Sequence, residues 1–369
     1  MSLEVEALEL AKRFLREEVA PQAQIIDTDL DALHAVVKRM GELNILSLKR
    51  PMKYGGPEMP EVLFRTYQEE VARTSGTLAF LTTQHQSAVG MIAGGDNEAL
   101  KEDYLPKMAS GERLVGIGFS QLRRSGPPIM CATPVEGGYI LEGHVPWVTG
   151  WTFFPEFLIG ATLPDGRALF AVVPLVETEQ PESETHEGVG KVTISEPMQL
   201  ASMGMGMTVT VDFDNFFLSS DKVAFIKPEG WIKNSDMINI ALQGHFAIGC
   251  AMAGIDVVRA NAEKKPFPFL KDATEALEKE LYALKMATAH AQQSSDESTT
   301  PERLKVRAWA IDFAVRCAHA AIAASSGAAN SVKHPAQRIY REALVYTVSA
   351  QTPAVMEATL ERLTSRGGW

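Results

Sequence analysis

The hydrophobic period changes twice along the chain, and this constrains the fold more than any single motif. In residues 1–114 the apolar positions recur at helical spacing. Leu3, Ala7, Leu8 and Leu15 fall near one face of LEVEALELAKRFLREEV, and Leu33, Val36, Val37 and Met40 repeat the pattern in DALHAVVKRMGELNIL. KYGGPEMP interrupts the helices through Gly55, Gly56 and Pro57. In residues 115–230 the period shortens to that of strands: RLVGIGFS, GGYILEG, EFLIGATL, RALFAVVPL, KVTIS and MTVTVDFDNFFL are short runs separated by turns such as Pro164-Asp165-Gly166. The acidic stretch VETEQPESETHEGVG reads as an exposed loop. In residues 231–369 helices return, four of them long, beginning with the small-residue-rich NIALQGHFAIGCAMAGIDVVRANAEKK. The expected fold is α+β: an N-terminal all-helical domain (1–114), a middle antiparallel β domain (115–230) and a C-terminal four-helix bundle (231–369). No strand–helix alternation supports a dinucleotide-binding parallel sheet.

Charge and cysteine usage narrow the function classes. A net charge of -11 and a pI near 5.3 argue against a nucleic-acid binder, which needs a basic face. Cys131, Cys250 and Cys317 are widely spaced and include no CxxC, so a reducing compartment is expected and the localisation is read as cytoplasmic. The first helix carries acids rather than a basic region and an apolar signal core. No uninterrupted apolar run reaches about 18 residues, so no membrane span is expected.

Several catalytic signatures are missing. The sequence has no GxGxxG after a strand, no GxxxxGK[ST], no HExxH and no GxSxG. The eight histidines have no ligand spacing, so no metal site is expected. His85, in TTQHQS, reads either as a pocket-lining group or as a satisfied, partly buried polar residue.

Three stretches then converge: YGG at 54–56 with EEVART at 69–74, YLPKMASGE at 104–112, and GGYILEGHVPWVTG at 137–150. Together they resemble the acyl-CoA dehydrogenase superfamily over nearly the whole chain. Gly138-Tyr139-Ile140-Leu141 and Gly143 keep the frame of the family's "dGyvlNGxKxWIT", with Trp147-Val148-Thr149 in the last three places. The resemblance implies FAD, with Trp147 packed on the flavin ring, Thr149 at its N5 or O4 edge, and Val148 and Ser120 beside it. A flat apolar contact and a few polar groups aimed at the ring edge are what a flavin needs.

The C-terminal stretch SSGAANSVKHPAQRIYREA resembles "GGxGyxxexPvxRxyRDa". Here Ser326, Gly327 and Ala329 take the small-residue places that meet the ADP half of FAD across a subunit interface. Arg338 and Arg341 with Glu342 read as structural ion-pair residues. The resemblance also implies a homo-oligomer, dimer or tetramer. Departures are visible: Lys264 stands for an arginine at the diphosphate, Phe267 is kept, and Pro268 replaces glycine. SQLRRSGPP replaces "TEPxxGSD", keeping a hydroxyl at Ser120 and adding Arg123 and Arg124, read as a positive patch for a phosphate or an acidic partner, or as a solvated loop.

The largest departure is at the base. Counting from Arg341, the glutamate of the family's "RDaxxxxIYEGTxxI" falls on Ala350, while Thr352 keeps the threonine. The alternative family position for the base, near Ile238, is also not acidic. Asp236 is two residues away and points elsewhere by roughly 200° on a helix. Removing an α proton from an acyl thioester needs a carboxylate in hydrogen-bond reach. Three readings follow. The first is a dehydrogenase of an acyl-CoA or carrier-bound acyl thioester with a relocated base, Asp236 or Glu357 being candidates, served by an electron-transfer flavoprotein. The second is a reduced-flavin monooxygenase of the same fold, fed by a flavin reductase and using FAD or FMN. The third is a flavin- or acyl-CoA-binding homologue without turnover. Met130, Met203, Met205 and Met207 read as core or as the lining of a flexible substrate slot.

Overall fold

The computed structural model describes residues 2–182, 188–293 and 296–365. Its first layer is helical: α1 (Leu3–Phe14), α2 (Ala23–Ile26), α3 (Leu30–Glu42), α4 (Glu61–Thr74), α5 (Gly76–Ala93) and α6 (Glu98–Tyr104). The periodic residues of α3 do face inward; Leu33 and Met40 are fully buried. Asp29 caps α3 by accepting the Ala32 amide at 3.0 Å. Between α3 and α4 the chain turns at Gly55, in the left-handed region at φ +79.

Nine strands follow: β1 (Val115–Gly118), β2 (Met130–Val135), β3 (Gly138–Thr149), β4 (Glu156–Thr162), β5 (Ala168–Pro174), β6 (Thr178–Gln180), β7 (Gly190–Ile194), β8 (Thr208–Ser219) and β9 (Val223–Lys227). They form one sheet in the order β6-β7-β8-β3-β2-β4-β5-β9, with β1 on β4. The antiparallel expectation holds for β2–β3, β3–β8, β4–β5, β5–β9, β6–β7 and β7–β8. It is corrected at β2, which meets β4 in parallel at Cys131↔Thr162, and at β1, which runs parallel to β4 from Val115↔Glu156 to Gly118↔Ile159, so the sheet is mixed. The reason for the second is the long excursion between β1 and β4. The β2–β3 hairpin intervenes, and β4 re-enters from the same end as β1, as a parallel pair requires. The acidic stretch is also not wholly a loop: Thr178–Gln180 pairs with Gly190–Val192. Its residues 183–187 lie outside the described residues.

The last region holds α7 (Trp231–Asn239), α8 (Gly244–Lys264), α9 (Pro268–Ala291), α10 (Thr300–Ser325), α11 (Pro335–Val348) and α12 (Pro353–Thr364). The long first helix of the sequence reading begins later than expected, at Gly244. PAQRIYREA, read only for its motif, proves to be helix α11. Small residues set the helix spacing. A Cβ at Gly249 would lie 2.2 Å from the Glu69 carbonyl oxygen of α4, and one at Gly254 would lie 2.6 Å from Cys317 of α10. By length and composition Trp231–Lys264 is able to cross a membrane, but 72% of its most apolar window is buried inside the protein.

Two buried polar groups tie these layers together. His85 on α5 is fully buried. Its Nε2 lies 2.9 Å from the Met108 carbonyl, and its Nδ1 lies 3.1 Å from the Val115 amide, so it is a satisfied interior residue joining α5 to β1. Burial lowers its pKa. At the other end, the Arg338 Nη1–Glu342 Oε1 pair (2.6 Å) is buried, and the same oxygen accepts the Gly76 amide at 2.9 Å. Arg341 reaches Asp27 at 2.6 Å. These pairs fasten α11 to α2 and α5, in keeping with the ion-pair reading of Arg338, Arg341 and Glu342.

Two outcomes follow. Because the folded pKa of His85 is depressed, the unfolded chain binds a proton that the native one refuses as pH drops below about 6.5. The stability contributed by neutral His85 is therefore complete above that pH and is lost below it. Urea titrations between pH 5 and 7.5 should show a smaller fall in stability at low pH for H85Q than for the parent, by up to about 1.4 kcal/mol per pH unit. Separately, R338A leaves the Glu342 charge buried and uncompensated. Denaturant melts should show a loss of about 3–5 kcal/mol.

Candidate functional site

The end of β3 is built from a slipped register. Pairing with β8 shifts once between Leu141↔Phe216 and Gly143↔Phe213, shifts again after Val145↔Val211, and resumes at Val148↔Val209 and Thr149↔Thr208. Such an irregularity re-aims a side chain. Trp147 lies within the slip and is 42% exposed, whereas Val148 and Thr149 are buried. The Thr149 and Thr208 hydroxyl oxygens are 2.9 Å apart, so Thr149 already has a partner inside the sheet. Val148 is wholly buried, packed into the core.

β1 lies alongside because it lacks side chains at two places. A Cβ at Gly116 would lie 3.4 Å from the Thr149 carbonyl oxygen, and one at Gly118 would lie 3.0 Å from Val148 Cγ2. Ser120, exposed, opens the 3-10 turn Ser120–Arg123 that follows β1. Ser120 is thereby brought to the Trp147–Thr149 end. Beyond Thr149, Gly150 has φ +106, and a Cβ there would lie 2.2 Å from the Phe154 ring. The Gly150 and Trp151 amides donate to the Gly206 and Met207 carbonyls at 2.8 and 3.1 Å.

Arg123 does not form a free positive patch. Its Nε and Nη2 both reach the Asp236 carboxylate at 2.7 Å, tying the Ser120 turn to α7. Asp236 is thus brought to the Ser120 turn, where it is clasped by an arginine. Glu357 is exposed on α12. Ala350 lies in the short link between α11 and α12 with φ +49 and is exposed. Thr352 caps α12, its Oγ1 accepting the Val355 amide at 3.3 Å. Met203 is buried core, while Met205 and Met207 are only partly buried against it.

The remaining sequence candidates gather elsewhere, at the facing ends of α8 and α10. Lys264 is exposed. Phe267 is exposed and stacked on Phe269 with centroids 5.4 Å apart. Ser326 has φ +55, and open space surrounds Gly327. Asn261 Nδ2 to Ser325 Oγ (3.3 Å) and Lys265 Nζ to the Ala324 carbonyl hold these ends together. Among the described residues, no group of three or more His, Cys, Asp or Glu side chains is arranged to hold a metal ion.

Sequence reasoning missed two elements. Buried Arg307 on α10 donates to the carbonyls of Gln243 and of Ser349, the latter at 2.9 Å, so it cross-ties the start of α8 to the link that carries Ala350. Burial pushes its pKa down to about 10. The available signal was a pair of arginines at i,i+4 spacing, Arg303 and Arg307, on a face otherwise rich in apolar residues. The second is the set of left-handed non-glycine residues, Thr152, Met203 and Met207, for which the sequence carried no signal.

The β3 end presents an exposed indole at Trp147 next to two buried residues, and an exposed hydroxyl at Ser120, groups that suit a flat ligand. Residues 4–112 match the family description "Acyl-CoA dehydrogenase, N-terminal domain". The chain is 28% identical over 191 residues to the mitochondrial isovaleryl-CoA dehydrogenase of Pongo abelii, covering 49% of this chain but only 45% of that protein. It is 22% identical over 369 residues to the 3-(aryl)acrylate reductase of Clostridium sporogenes (strain ATCC 15579), covering 95% of each. The fold superposes on butyryl-CoA dehydrogenase from Megasphaera elsdenii with a TM-score of 0.77 at 16% identity, over 98% of both chains. With its N-terminal helices, mixed central sheet and C-terminal helices, the chain has the fold of the acyl-CoA dehydrogenases, and its residues 4–112 match that family's N-terminal domain.

Proposed function

We propose that the protein is an FAD-binding oxidoreductase acting at the Cα–Cβ bond of an acyl thioester, with its acid–base group moved away from position 350. The observation that carries this is the juxtaposition of exposed Trp147, Ser120 and the Arg123–Asp236 pair at one end of the sheet. Trp147 covers one face of the flavin, and Ser120 and the Val148–Thr149 backbone meet its edge. Lys264, Phe267, Ser326 and Gly327 meet the ADP half from a neighbouring subunit, and Thr352 meets the ring from the α11–α12 link. When bound, the flavin accepts the β hydrogen as hydride. The α proton needs a carboxylate of this chain. Asp236 is the acid nearest in the fold to the Ser120 turn; taking a proton requires it to leave Arg123. Glu357, exposed on α12, is the weaker candidate.

Ala350 favours a second reading. A monooxygenase using reduced FAD or FMN needs no base at that place, and a reductase would then be the partner instead of an electron-transfer flavoprotein. A homologue that binds flavin or acyl-CoA without turnover is the third. We also propose a homo-oligomer, dimer or tetramer. The exposed apolar residues Tyr340, Leu344 and Val348 on α11 and Met356 and Leu360 on α12 support it. Cytoplasmic localisation is proposed from three free thiols, Cys131, Cys250 and Cys317.

The test is anaerobic. Protein loaded with oxidised FAD should lose its visible flavin absorbance on addition of short-chain and aryl-propionyl thioesters. D236N should slow this loss at least about 10²-fold, and A350E, which restores a carboxylate, should accelerate it about as much. Failure of both parent and A350E to react, with O₂ consumption once a reductase is supplied, would replace this reading by the monooxygenase. Retention of neither oxidised nor reduced flavin would remove both.

A further inference from the structure

We infer that His34 is a positioning residue for the end of β3, acting from the N-terminal helical layer through a strained turn; this rests on the flavin reading above. The turn Gly150–Phe154 follows Thr149 directly. It contains Thr152 at φ +73, a conformation in which a β-branched residue is a clear outlier. Strain of this kind persists only where surrounding contacts over-determine it.

Those contacts converge here. The Phe153 and Phe154 amides donate to the Gly150 carbonyl at 2.9 and 2.8 Å. Phe154 is buried where Gly150 lacks a side chain, and it faces the His85 ring at 6.0 Å. The turn's outer side is held by His34 of α3. Its ring stacks on Phe153 with centroids 3.9 Å apart and planes 14° from parallel, and its Nε2 lies 3.3 Å from Thr152 Oγ1. His34 therefore grips the strained residue and its neighbour together. A cavity of about 470 Å³ lies beside this turn with His34 and Phe153 in its lining; Phe153 is buried and His34 is half-buried over it.

The consequence is geometric. Trp151 is two residues from Phe153, and its amide is held by Met207. The turn is thus clamped from the helical layer on one side and from the Gly204–Met207 loop on the other. Releasing His34 lets the turn relax toward ordinary backbone angles, and Trp147 and Trp151 shift with it.

The experiment uses 5-fluorotryptophan-labelled full-length protein and ¹⁹F NMR, with resonances assigned by W147F, W151F and W309F. H34A should displace the Trp147 and Trp151 resonances, leave that of Trp309 on α10 in place, and weaken FAD binding about fivefold. H34F, which keeps the ring stack, should restore most of both. Thermal melts monitor folding. Should H34A prove too unstable, H34Q and H34F decide the matter by the same resonances. An unmoved Trp147 resonance, or parental FAD affinity in H34A, overturns the inference. If the parent binds no FAD, the flavin reading fails, and the Trp147 resonance alone judges the clamp.

Discussion

The molecule depends on the close approach of β1 to the last residues of β3. Two glycines in β1 make that approach possible, and it does three things together. It seats Val148 against the core, it puts the Thr149 carbonyl over Gly116, and it delivers Ser120 to the strand end. A side chain at Gly118 would meet Phe157 at 2.7 Å as well as Val148, so β1 could not stay. The parallel β1–β4 pairing is the same constraint seen from the other side, because it fixes where β1 ends relative to β4.

Around that junction the helical layers act as a frame. His85 couples α5 to the Met108 carbonyl and to Val115 of β1, and the Arg338–Glu342 pair couples α11 to the start of α5. Both are interior polar groups with defined partners, so they set position more than they add stability. Arg307 extends the frame to the α11–α12 link, the segment that in this chain carries alanine instead of a carboxylate. The link is therefore held in place even though its side chain at 350 has no acid–base capacity.

Much of this was legible before any coordinates. The change from helical to strand period and back marks the three layers, because burial on one face leaves its spacing in the residues. The Trp147-Val148-Thr149 stretch and the Ser120 hydroxyl stood out because each holds a place in a family motif; whether they form a site is a separate question from their placement at the β3 end. What periodicity cannot carry is tertiary pairing. Arg123 and Asp236 are 113 residues apart, and nothing local says that one clasps the other. The parallel run of β1 was hidden for the same reason, since four residues look alike in either direction. Thr152 and His34 were invisible because a backbone angle and a ring stack leave no pattern in composition.

The central claim is that a planar redox ring lies against Trp147 at the end of β3. A crystal structure of the full-length protein grown with excess FAD tests it most directly. The account expects the isoalloxazine in van der Waals contact with the Trp147 indole and within hydrogen-bond reach of Ser120 or the Val148–Thr149 backbone. An empty β3 end in crystals that hold FAD elsewhere, or hold none, would contradict it.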